Sequence, residues 1–301
     1  MEHLTCIMVG VDVEPAGRDI SSGSMRAIEQ ALWITERSGA RLVLLHSTAH
    51  DRYLDPIGMN TVIVGEGPRE EVLDGLLELV ERAGEQDIDC ELVLDDRPAG
   101  DALVDRAVRS GADLILVGKR SEAERDGRRL GRVSKKLLRT SSVPVWVASA
   151  DHIGPVKTIV AATDLSAVGN GAARNAAGLA RQFEADLHVV HAVPLEFLPP
   201  ANFPGEDVIA HADVEQSVRI SGAKKRLDEL CGEMPVEAHA HVLDRPPYDA
   251  VRDFAKEHEA DLVVLGTASR HGLAGFLVGN TAEWLLDSID ASLLAFPPTR
   301  S

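Results

Sequence analysis

Ala112 to Gly118, ADLILVG, returns at 260–266 as ADLVVLG. The second copy lies 148 positions after the first. Three more landmarks keep that spacing: Asp96-Arg97-Pro98 against Asp244-Arg245-Pro246, Gly131 against Gly279, and Leu137-Leu138 against Leu285-Leu286. The 301 residues are therefore two copies of one unit, each the size of an ordinary domain rather than of a solenoid repeat. Any site in one copy has a counterpart in the other, and differences between counterparts carry information.

Around the repeated run, short apolar stretches alternate with helix-length amphipathic ones. This is the pattern of a parallel sheet covered on both faces. The first copy supplies CIMVGVD, RLVLLHS, CELVLDD, DLILVGK and VPVWVAS, and the second KTIVAATD, DLHVVHAV, EAHAHVLD, DLVVLGT and SLLAF, so five strands are expected in each. Helices are expected near 22–38, 68–86, 98–110 and 131–140, then near 169–184, 208–232, 246–259 and 280–288. Pro98 and Pro246 suit a first helical turn, and Ser110-Gly111 suits a helix end. The stretch from Ser149 to Pro155 is small and carries Gly and Pro, which marks a linker between domains at 1–150 and 151–301.

A hydrophobic share of 45% and a charged share of 26% describe a globular chain. No apolar run reaches the roughly 18 residues of a membrane span, and the N-terminus reads straight into a strand, so a cytoplasmic location is expected. A net charge of −17 argues against general nucleic-acid binding. Cys6, Cys90 and Cys231 are odd in number and widely spaced, which reads as free thiols in a reducing compartment.

Ligands of open α/β sheets bind beyond the carboxyl ends of the strands, where strand order reverses. After the fourth strand of the second copy comes GTASRHGLAGFLVGNTAE, 266–283. Gly266 admits close backbone approach there, the loop carries Ser269 and Arg270, and Gly279-Asn280-Thr281 opens a helix whose free N–H groups attract anions. This is a candidate phosphate cradle, although Gly-Asn-Thr is also simply a good helix cap. After the first strands stand Thr163-Asp164-Leu165-Ser166 and Asp12. Their carboxylates are placed either to receive a nucleoside or to cap turns.

These residues resemble the universal stress protein family, in its tandem-domain form. The likeness rests on Thr163-Asp164-Leu165-Ser166, on ADLVVLG and on the glycine-spaced loop ending GNTAE, and it extends over nearly the whole chain twice. It implies two open five-stranded α/β domains of the adenine nucleotide alpha hydrolase-like kind, strand order 3-2-1-4-5, pairing through their last strands as an intramolecular pseudo-dimer, in a monomer or a homodimer. In the nucleotide-binding branch it implies the motif G-x2-G-x9-G-(S/T) around the phosphates of ATP or AMP, with the acid after the first strand near the adenosine. Gly266 and Gly279 match that motif, while Ser269 and Asn280 stand at its other two positions. In the first copy Gly118 and Gly131 match, and Ser121 and Arg132 replace the rest. The second copy is thus the better nucleotide candidate.

Other chemistry is thinner. The loop 119–132 is rich in arginine and suits either an anionic partner or solvent. His239 and His241 share one face of a strand, a start for a metal site that lacks a sequence-evident third ligand. His46 and His191 end the second strands and could edge the crevice or simply pack. No GxSxG elbow is present, and nothing assembles a hydrolytic triad. A nucleotide hydrolase and a nucleotide-free interaction module remain the alternatives to a nucleotide-binding protein.

Overall fold

A computed structural model describes residues 4–13, 19–50, 70–119, 131–149, 154–194, 206–267, 285 and 288–298. Contacts divide the chain into two compact units. The first is built from β1 (Cys6–Val11), α1 (Ser22–Ser38), β2 (Arg41–Ser47), α2 (Glu70–Glu85), β3 (Cys90–Asp95), α3 (Ala99–Ser110), β4 (Leu114–Gly118), α4 (Arg132–Thr140) and β5 (Val145–Ala148). The second holds β6 (Thr158–Ala162), α5 (Ala167–Phe183), β7 (Asp186–Ala192), α6 (Glu206–Gly232), β8 (Ala238–Leu243), α7 (Pro247–Glu257) and β9 (Leu262–Gly266). The tenth strand, β10 (Ser292–Phe296), closes the chain.

The first unit has the strand order β3-β2-β1-β4-β5, and every one of these neighbours pairs in parallel. The second repeats it as β8-β7-β6-β9, again all parallel. Continuous apolar runs explain why: β1, β2, β4 and β9 are buried along nearly their whole length and β6 through its centre, as strands covered on both faces must be.

By contact β10 belongs with the first unit rather than with the rest of its own repeat. It runs antiparallel to β5, with Leu293 opposite Val147, Leu294 opposite Trp146 and Ala295 opposite Val145. Ser149 adds a backbone N–H donated to the Ser292 hydroxyl at 3.0 Å. The pairing satisfies backbone groups that an unpartnered apolar edge would leave open, and Trp146 and Leu294 are fully buried.

The repeated Asp of ADLILVG and ADLVVLG has a job that the sequence does not advertise. Asp113 Oδ2 accepts from Thr5 N (2.7 Å), Thr5 Oγ1 (2.8 Å) and Cys6 N (3.1 Å), and so ties the start of β4 to the start of β1. Asp261 repeats the device on Lys157 N (2.6 Å) and Thr158 N (2.9 Å). The repeated Arg-Pro corner is explained likewise. Arg97 binds Asp105 at 2.8 Å, and Arg245 binds the corresponding Asp253 at 3.4 Å. Pro98 and Pro246 sit one place earlier than expected, as the N-caps of α3 and α7, with Pro247 in the first turn of α7. The other described helices fall within about two residues of expectation, the ordinary uncertainty of a helix end. The expected 280–288 helix lies outside the described residues apart from Leu285 and Ser288.

Candidate functional site

The chain leaves β6 through a turn with unusual backbone. Leu165 is buried and left-handed, at φ 59°, a conformation that costs a branched side chain energy and therefore needs support. Support comes from both sides. Leu165 N donates to Thr163 Oγ1 at 2.9 Å, and the Leu165 carbonyl accepts from Arg226 Nη2 of α6 at 3.0 Å. Ser166 N donates to Asp164 Oδ1 at 2.9 Å, and Ser166 caps α5 by accepting from Gly169 N at 3.1 Å. Thr163 Oγ1 also donates to Asn170 Oδ1 at 2.8 Å.

Gly266, at the end of β9, packs directly on this turn. A Cβ there would lie 2.9 Å from Val168 Cγ1 and 3.2 Å from Gly169 N. A Cβ on Gly169 would in turn lie 2.6 Å from Asp164 Oδ1. Thr163, Asp164 and Gly266 are therefore one cluster at the point where strand order reverses between β6 and β9. The space beside Gly266 is taken by the first turn of α5, which is a packing reason for the glycine that the sequence could not display. Asp164 is half-buried, and its Oδ1 serves the turn. Ser269, Arg270, Gly279, Asn280 and Thr281 lie outside the described residues.

The first unit has the same plan with different parts. Asp12 is exposed, and its Oδ1 accepts from Val13 N at 3.0 Å. Its carbonyl accepts from Ser21 N at 2.9 Å, and Ser21 caps α1. A Cβ on Gly118 would fall on the carbonyl of Gly23, so here backbone lies against backbone. Gly131 is the N-cap of α4, and Arg132 is the exposed first residue of that helix. Ser121, with the rest of 120–130, lies outside the described residues.

His46 and His191 hold the strand ends. His46 Nδ1 lies 3.0 Å from the Val11 carbonyl and His191 Nδ1 lies 2.8 Å from the Thr163 carbonyl. A carbonyl only accepts, so each imidazole carries its proton on Nδ1. A concavity of about 390 Å³ at the end of β3 is lined by Thr48, Asp95, Arg97, Arg106 and Arg109. Its guanidiniums are committed: Arg97 and Arg106 hold the buried Asp95, at 2.8 and 3.0 Å, and Arg109 holds Asp105 at 3.1 Å. The Arg97 fork keeps the Asp95 carboxyl far below the usual carboxylate range, against the effect of its burial.

Cys6, Cys90 and Cys231 are free thiols, and burial pushes Cys90 and Cys231 up to about 11, which leaves both protonated and unreactive at neutral pH. Among the described residues no group of three metal-ligating side chains is placed to hold an ion. No described helix is long and apolar enough to cross a membrane. Arg226 was not legible as a member of the site. It stands 61 residues from Leu165, and its neighbours on α6 carry no local signal of the contact.

Doubly wound parallel α/β units in tandem define a class of protein built from a duplicated domain. The chain belongs to the universal stress protein family, whose model matches residues 6–149 and again 155–297. It is 27% identical over 291 residues to universal stress protein MT2698 of Mycobacterium tuberculosis, covering 92% of this chain and 91% of that one. It is 29% identical over 141 residues to universal stress protein MJ0531 of Methanocaldococcus jannaschii, covering 46% of this chain and 80% of the relative. Among solved structures, a Pseudomonas aeruginosa protein of unknown function, PA1789, matches 99% of this chain and 94% of its own at 19% identity, with a TM-score of 0.69.

Proposed function

We propose that the protein is a cytoplasmic stress-response binding protein whose second repeat carries a single adenine-nucleotide site for ATP or AMP. The observation that carries the reading is the strained Thr163–Ser166 turn, held by Arg226 and packed against Gly266 and the start of α5 at the switch point. Strain maintained by several partners is characteristic of ligand sites. Asp164 faces the nucleoside, Gly266 lets the loop leave the strand, and Arg270, Gly279, Asn280 and Thr281 receive the phosphates, with Ser269 narrowing the cradle. Asp12, Gly118, Ser121, Gly131 and Arg132 form the weaker counterpart, because Arg132 replaces the hydroxyl at the helix start. The two domains, 1–150 and 151–301, join as an intramolecular pseudo-dimer, a reading supported by the β5–β10 ladder.

Calorimetric titration of the full chain with ATP and with AMP tests this. The expected result is at most one site per chain, weakened about tenfold or more by Asp164→Ala and unchanged by Asp12→Ala. Equal effects of the two substitutions would remove the assignment to the second repeat. Absence of binding, together with absence of nucleotide released on denaturing fresh protein, would favour an interaction module, and steady-state turnover of ATP would favour a hydrolase.

A further inference from the structure

The two repeats diverge most sharply under α7. In the first repeat the β2–β3 register sets Val43 opposite Glu91 and Leu45 opposite Val93. The β7–β8 register sets His188 opposite His239 and Val190 opposite His241. By this register His188 replaces Val43, His239 replaces Glu91 and His241 replaces Val93. On the covering helix, Phe254 and His258 replace Arg106 and Ser110. An ordinary patch of apolar and ionic residues in one copy has become, in the other, three imidazoles and a phenyl ring gathered on a fourth imidazole, His188.

The geometry is close. Ring centroids of His239, His241 and His258 lie 5.2, 5.3 and 4.9 Å from that of the half-buried His188. Phe254 stacks on His258 at 3.8 Å and meets His241 at 4.7 Å. His188 Nδ1 and His241 Nε2 are 3.2 Å apart, a contact in which one nitrogen donates and the other accepts. Doubly protonated rings have no acceptor nitrogen, so with both rings charged two N–H groups would point at each other. His258 Nδ1 donates to the Phe254 carbonyl at 3.0 Å, which fixes that ring to the end of α7.

The groups that face His188 can be named element by element. β8 supplies His239 and His241, α7 supplies Phe254 and His258, β6 supplies the buried Val160, and its own strand supplies Asp186. Burial first, then His258, His241 and His239, hold His188 down to about 4, and Asp186 alone among its main influences favours the charge. His241 is lowered by burial, then by His258 and His239. No described group of α6 is among the main influences on either ring.

We propose that this imidazole cluster is a proton-operated latch: neutral, it seats α7 on β7 and β8, and on mild acidification it releases α7 and the β8 edge of the second repeat. The direction follows from linkage. A histidine whose folded-state value lies below its unfolded one, near 6.5, contributes fully above about pH 6.5, and that contribution is lost as pH falls toward about 4. At pH 5.0 an opened His188 is mostly charged and the closed one mostly neutral. Each unit of that difference is worth about tenfold in population, so local opening should rise about 10–30-fold from pH 7.5 to 5.0.

Hydrogen exchange on the full chain, corrected for intrinsic rates and run with EDTA to exclude metal effects, reads this directly. Amides of β8 and α7 should exchange at least about tenfold faster at pH 5.0 than at 7.5, while β3 and α3 of the first repeat hold steady as the internal control. The double variant His188→Val and His241→Val, which installs the residues of the first repeat, should lose the response. Equal loosening of both repeats in the parent, or an undiminished response in a folded double variant, overturns the proposal. An NMR titration of the unaltered protein stands independent of any variant. His188 titrating below about pH 5 supports the latch, and His188 titrating near 6.5 refutes it.

Discussion

Asp113→Ala should unlatch β4 from β1 in the first repeat. The carboxylate oxygen accepts three hydrogen bonds, from Thr5 N, Thr5 Oγ1 and Cys6 N. Bonds to a charged acceptor are worth about 1.5–3 kcal/mol each when sheltered, but Thr5 is exposed, so its two donors regain water and count for little. Cys6 is buried, and its N–H would lose its acceptor where water has poor access. Together these give about 2–4 kcal/mol. A unit of this size has a urea dependence of about 2 kcal/mol per molar, so the midpoint should fall by about 1–2 M. Urea unfolding in a Trp284→Phe background, where Trp33 and Trp146 report on the first repeat, measures it. A midpoint shift below about 0.25 M with an unchanged slope would show that the repeated aspartate is ornamental, and the account of the ADLILVG signature would be wrong. Asp261→Ala should act on the second repeat in the same way.

Gly118→Ala should cost about 3 kcal/mol or more, because its Cβ meets the backbone carbonyl of Gly23, whereas Gly266→Ala should cost about 1–2, because Val168 can partly yield; thermal unfolding of both variants gives the order, and a reversed order refutes it. Asp95→Asn should cost about 1–3 kcal/mol, the guanidiniums around it being open to water. Its folded carboxyl lies below the unfolded value, so in urea titrations the gap between parent and variant should be full above about pH 4 and close as pH falls further. Leu294→Glu buries a charge opposite Trp146 and should loosen β10 from β5, seen as faster hydrogen exchange at 145–148; unchanged exchange there would mean the ladder contributes little. Ser269→Gly with Asn280→Ser should tighten ATP binding by about 1–2 kcal/mol in calorimetry, the scale of one or two recovered hydrogen bonds, and no gain would mean that the crevice is not organised around that loop.

The duplication, the parallel α/β order, the spans of the described strands and helices and the family likeness were legible in the chain. They follow from local hydrophobic period and from spacing, and the second copy served as an internal check on the first. What a residue meets across the fold was not legible. Gly266 read as a place for close backbone approach and Gly118 as its counterpart, and the sequence could not show that the first turns of α5 and α1 also pack against them, because β9 and β4 end against those helices. Asp164 read as a nucleoside ligand or a turn cap, and the cap is seen in the bond it accepts from Ser166 N, but the left-handed Leu165 and its Arg226 partner from α6 were not legible. His239 and His241 were correctly set on one face, since alternation along a strand is local. That His188 and His258 complete the cluster depended on the β7–β8 register and on where α7 crosses the sheet, which are set by the packing of distant segments rather than by any pattern within one.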